Sequence, residues 1–172
     1  LSENKTTGNL TDFLENSKIL IIDVPPKLRS SETESFVSKI RNIIPFIEQS
    51  SVENVLFISS TSVYNDEDAF VTEGTIPKPD TESGKQLLET EQLLLSNSNF
   101  KTTVLRFGGL IGEDRHPVKF LAGRENLDNP NAPINLINQD DCIGIILKII
   151  ETDSWNETFN PVAPSHPSRE IY

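Results

Sequence analysis

The sequence predicts an α/β fold: a parallel sheet with flanking helices. Two observations carry that prediction. The first is a set of unbroken apolar runs, "KILIIDVPP" at 18–26, "NVLFIS" at 54–59 and "TTVLRF" at 102–107. Runs apolar at successive positions, rather than at alternate ones, mark strands buried on both faces, as in parallel sheets. The second is that segments with helical spacing of apolar residues lie between these runs. Strands alternating with helices imply an α/β domain with right-handed crossovers.

The elements follow in order. The first run is rich in Ile and is stopped by Pro25 and Pro26. Residues 31–50 then place Phe36, Ile40, Ile43, Ile44 and Ile47 on one helical face, with Pro45 expected to kink the last turn. After the 54–59 strand, residues 65–78 carry Asp, Glu, Gly and Pro and read as a loop. An amphipathic helix is expected over 80–97, with "SGKQ" as a capping box near its start. The 102–107 strand ends at Gly108-Gly109. A short helix around 116–123, a polar loop rich in Asn and Pro, and a short strand "INLI" at 134–137 follow. The last elements are a helix over 139–152 and a short strand in "ETFNPV". No repeat or linker divides the chain, so residues 1–172 read as a single domain.

At 172 residues the chain is long enough for a real core. Its formal net charge is -11, and its Lys and Arg residues form no basic stripe. An acidic surface repels phosphate backbones and anionic lipid, so neither nucleic acid nor membrane is expected as a partner. The single cysteine, Cys142, excludes an internal disulfide and reads as a small core residue. Nothing points to secretion, and a reducing cytoplasmic compartment is expected. The absence of any methionine leads to the expectation that the chain is a fragment of a longer protein.

Ligands of open α/β sheets bind beyond the carboxyl ends of the strands. Three such ends occur here: Pro25-Pro26, the run Ser59-Ser60-Thr61-Ser62, and Phe107-Gly108-Gly109. Hydroxyls offer donors and acceptors, and glycines let backbone approach a ligand. Ordinary strand-to-loop transitions have the same composition, and pattern alone does not separate the two.

Five segments add a resemblance. They are "VLFISSTSVY", Glu73 with Pro77, "GKQLLETEQLL", "VLRFGGLIGEDRHP" and "INLINQDDCIGIILKIIE". In this order they resemble the NAD-dependent epimerase/dehydratase family of extended short-chain dehydrogenases, over about residues 18–172. The likeness is greatest to the atypical branch of nucleoside-diphosphate-sugar epimerases. It implies a Rossmann-like sheet with a small substrate-side part, a bound NAD or NADP, and a small-molecule substrate; it says nothing of oligomeric state. It implies Ser60 as the residue that hydrogen-bonds the reacting substrate oxygen, with Thr61, Ser62, Arg115 and His116 on the substrate side. Pro25 and Pro26 would lie toward the adenosine, and Ser59, Phe107, Gly108, Gly109 and Leu110 toward the nicotinamide. Asp140 and Asp141 read as a helix cap rather than a metal site, and His166 as a surface residue.

The chain departs from the family at two points. The family's catalytic pair is Tyr-x-x-x-Lys, at the start of the helix placed here at 80–97. The only tyrosines are Tyr64 and Tyr172, and Tyr64 matches the non-catalytic "VYG" position. With Lys85 as the family lysine, Thr81 replaces the tyrosine. With Glu91 as the family glutamate, Ser83 and Leu87 take the pair's places, and this register is preferred. Glu91 falls on the apolar stripe of that helix, where it should be largely buried and bonded to Arg106 or to backbone donors. The second departure is that none of the eight glycines falls in G-x-G spacing, so the βαβ unit holding the pyrophosphate is expected to be missing. Dinucleotide binding by the chain as given should be weak or absent. The resemblance therefore implies an epimerase-like enzyme with an atypical site, or a non-catalytic NAD(P)-binding module.

Overall fold

The computed structural model describes residues 8–26, 35–65, 69–116 and 129–171. Its main sheet has four strands: β1 (Ile19–Ile22), β2 (Asn54–Ser60), β3 (Lys101–Phe107) and β6 (Thr158–Phe159). They are ordered β1-β2-β3-β6, and all pairs are parallel. A second, two-stranded parallel sheet joins β4 (Gly109–Ile111) to β5 (Leu136–Asn138). Among the described residues the α-helices are α1 (Leu10–Leu14), α2 (Phe36–Arg41), α3 (Ile44–Glu48), α4 (Glu82–Leu95) and α5 (Gln139–Thr152).

The continuous apolar runs do what their pattern implies. Successive residues of β2 and β3 enter opposite cores, as strand geometry requires. Val55, Phe57 and Val104 pack with Phe36, Ile40, Ile47, Leu87 and Leu94 of α2–α4. Leu56 and Leu105 pack on the other face with Phe107, Ile137, Cys142, Ile149 and Trp155. Cys142 is therefore a core residue; burial, then the nearby Asp141 charge, pushes its thiol pKa up.

The structure corrects four local expectations. Residues 36–48 form two helices, not one. Pro45 lies in the first turn of α3, where its missing N–H costs nothing, instead of kinking a last turn. The cap of α4 is Thr81, whose hydroxyl accepts from Gly84 N–H at 3.1 Å; Ser83 lies inside the helix, so "SGKQ" is not the box. The 102–107 strand ends before Gly108, as expected, and Gly109 opens β4. The cap of α5 is Asn138, whose side chain accepts from Asp140 N–H at 2.9 Å, while Asp140 and Asp141 fill its acidic first turn. The short strand around 134–137 is Leu136–Asn138. Most of the helix expected at 116–123 lies outside the described residues.

Candidate functional site

The parallel sheet brings the three strand ends to one edge. The β1–β2–β3 register runs Ile22↔Phe57 and Ser60↔Phe107, so Pro25-Pro26, Ser59–Ser62 and Phe107–Gly109 all follow strands that point the same way. Pro25 is exposed and Pro26 half-buried. Beyond Ser60 the chain turns at once into a 3-10 helix over Thr61–Val63. The Ser60 hydroxyl caps that turn by accepting from Ser62 N–H at 3.2 Å. A hydroxyl also carries a donor, and among the described residues that of Ser60 has no acceptor. Ser60, Thr61 and Ser62 are all half-buried.

Gly84 fixes where this turn lies. A Cβ there would fall 2.2 Å from the Ser62 carbonyl oxygen and 2.9 Å from Pro79 Cβ. Only glycine lets the first turn of α4 meet the Thr61–Val63 backbone so closely.

Ser59 faces inward. Its hydroxyl donates to Glu91 Oε1 at 2.5 Å, inside the core. Glu91 and Arg106 are 1% and 6% exposed. Arg106 grips the carboxylate through Nη2 at 2.7 Å and Nε at 3.1 Å, as the α4 stripe led us to expect. Burial alone would lower the Arg106 pKa; hydrogen bonding and charge from Glu91, with Tyr64 behind them, outweigh it and hold it above the usual value. Tyr64 is also buried, and its phenolic oxygen accepts from Arg106 Nη1 at 2.6 Å. It packs in the first core, and its phenolic oxygen is held by hydrogen bonds.

On the β3 side, Phe107 belongs to the second core. The Gly108 N–H donates to Pro161 O at 3.3 Å and the Gly109 N–H to Asn135 O at 2.7 Å. Both amides are thus engaged within the chain, and a ligand there would have to meet other backbone groups. Leu110 is half-buried in β4; Arg115 and His116 are exposed just beyond it, after a 3-10 turn over Glu113–Arg115. Leu87 is buried in the first core, Ser83 is half-buried and Lys85 is exposed, consistent with the Glu91 register. Asn160, half-buried and bonded to Tyr64, is a neighbour the sequence did not reveal. No helix among the described residues is long and apolar enough to cross a membrane. Among the same residues no cluster of His, Cys, Asp or Glu could hold a metal ion.

The hydroxyl turn and the strand ends offer a surface at the carboxyl edge, whereas the described residues contain no G-x-G turn to cradle a pyrophosphate.

Fold and edge together define a Rossmann-like α/β protein. No family model matches the sequence. The chain is 30% identical over 161 residues to Protein YeeZ of Escherichia coli K12, covering 94% of this chain and 58% of that protein. A solved structure from Methylobacillus flagellatus, described as an NAD-dependent epimerase/dehydratase, superposes with a TM-score of 0.77 at 27% identity, covering 95% of this chain and 62% of that one. MoeE5, solved with UDP-glucuronic acid and NAD, gives a TM-score of 0.81 at 21% identity, covering 99% of this chain and 64% of its own. The chain thus spans about three fifths of the length of the proteins it matches. Its fold is that of these NAD-dependent epimerase/dehydratase structures.

Proposed function

We propose that the full-length protein binds NAD or NADP and a nucleotide sugar, or a similar hydroxylated metabolite, and acts on it as an epimerase/dehydratase-like enzyme without the family tyrosine. The observation that carries this reading is Ser60. It stands at the carboxyl end of β2, half-buried, with no acceptor for its hydroxyl proton among the described residues. When bound, the nicotinamide would supply hydride exchange. Ser60 would hydrogen-bond the substrate oxygen that gains or loses a proton. Thr61, Ser62, Arg115 and His116 would line the substrate side, with Pro25 and Pro26 toward the adenosine and the Ser59 backbone and Phe107–Leu110 toward the nicotinamide. The acidic surface and the family's substrates support a cytoplasmic location.

A serine hydroxyl has a pKa far above neutral, so Ser60 orients the substrate oxygen and passes its proton to water or to His116. The test is turnover of UDP-glucose and UDP-glucuronic acid by full-length protein in the presence of NAD or NADP, beside Ser60→Ala. Loss of turnover in Ser60→Ala with the dinucleotide affinity kept is the expected result. Full activity in that variant would defeat the assignment.

A second reading is a non-catalytic NAD(P)-responsive module. Leu87 favours it, because a buried core leucine stands where the family lysine would be. Saturable binding of both ligands with no turnover by wild-type protein would select this reading.

A further inference from the structure

We infer that Tyr64 is a positioning residue that latches the substrate-side wall of the crevice onto the sheet. Its phenolic oxygen is where three segments far apart in sequence meet. Arg106 Nη1 of β3 donates to it at 2.6 Å. The Thr72 carbonyl lies 3.2 Å away. The Asn160 side-chain amide lies beside it, with Nδ2 at 3.1 Å and Oδ1 at 3.2 Å. A phenol donates one hydrogen bond and accepts two. Arg106 can only donate and the Thr72 carbonyl can only accept. The phenol's single proton therefore goes to Thr72, and Asn160 must present Nδ2. Donor and both acceptor positions are then filled.

The two latched segments are also tied to each other. The Asn160 backbone N–H donates to Glu73 Oε1 at 2.9 Å. The 72–75 turn is closed on itself, by Thr72 N–H to Thr75 Oγ1 and Thr75 N–H to Thr72 O, each at 2.9 Å. The turn belongs to no helix or strand, so its own bonds do not hold it to the sheet; Tyr64 and the Glu73–Asn160 bond do. Arg106 is in turn held from its other side by the buried Glu91. Because Tyr64 closes the 3-10 turn that begins beyond Ser60, the latch sets the 72–75 turn and Asn160 against the carboxyl edge. That these segments wall a ligand site rests on the function proposed above.

Tyr64→Phe in the full-length protein removes the phenolic oxygen and keeps the ring in the core. Losing one such bond should speed hydrogen exchange of the 72–75 and Asn160 amides about tenfold, with the β2–β3 ladder unchanged. Glu73→Ala should reproduce the effect at Asn160, and Glu73→Gln, which keeps the acceptor, should restore protection. The Kd for UDP-glucose should rise about tenfold while that for NAD stays constant, and turnover at saturating UDP-glucose should persist. Unchanged exchange in both segments, or loosening across the whole ladder, overturns the latch. Faster exchange with an unchanged UDP-glucose Kd overturns its placement on the substrate side. If wild-type protein binds no UDP-glucose at all, the functional reading falls and the exchange pattern alone decides the latch.

Discussion

Arg106 and Glu91 occupy places where charge is costly. Each is almost wholly buried, and each is made tolerable only by the other, by Ser59 and by Tyr64. Breaking such a pair from one side strands an uncompensated charge, which typically costs about 3–5 kcal/mol. Arg106→Met and Glu91→Leu should each destabilise on that scale in denaturant unfolding. The double variant should cost far less than the sum, because it removes both charges together. Additive losses would show that the two act independently. At this scale the sequence was informative: Glu91 lay on an apolar stripe and Arg106 in an apolar strand, and two such charges need each other. Ser59 was not legible in the same way. Its place beside the crevice in sequence concealed that its hydroxyl points the other way, because successive residues of a strand face opposite sides.

Among the elements, α4 controls the site most directly. Its first turn lies on the backbone of the Thr61–Val63 turn, and Gly84 is the point of contact. Gly84→Ala would place a methyl group against a backbone oxygen that has no flexible side chain to move aside. Overpacking of this kind costs about 1–3 kcal/mol, and here it would also shift Ser62 and with it Ser60. A lower denaturation midpoint at constant m, with a weaker response to any ligand contacting Ser60, is the expected outcome. An unaltered midpoint would mean that α4 can withdraw freely. The extent of α5 was legible because its apolar spacing and its Asp pair agree, while the capping Asn138 emerged only from the structure. The break between α2 and α3 was less so. The apolar spacing of 36–47 runs on without interruption, and periodicity does not register that Pro45 starts a helix as readily as it disturbs one.

For the whole molecule, the parallel sheet gathers the carboxyl ends of its strands at one edge, and this makes a candidate site from residues scattered between Pro25 and Asn160. The edge offers hydroxyls and carbonyls. The Gly108 and Gly109 amides are spent on Pro161 and Asn135, and the chain has no G-x-G turn. Pyrophosphate binding depends on such a turn and on a helix N-terminus. Titration calorimetry of the 172-residue chain with NAD and NADP should therefore show weak binding or none. Tight, saturable binding would mean that another part of the chain supplies the donors.

The sequence by itself determined the class of fold, since unbroken apolar runs alternating with amphipathic segments can be buried on both sides only in a covered parallel sheet. It also determined that neither tyrosine lies on α4, because composition and order suffice for that. Only the tertiary structure decided what Tyr64 does. Its partners are Thr72, Arg106 and Asn160, the last 96 positions away, and no local pattern encodes a hydrogen bond across such a separation. It likewise decided which hydroxyls of the Ser59–Ser62 run face the core. Strand direction and register set that orientation, and both are properties of the assembled sheet.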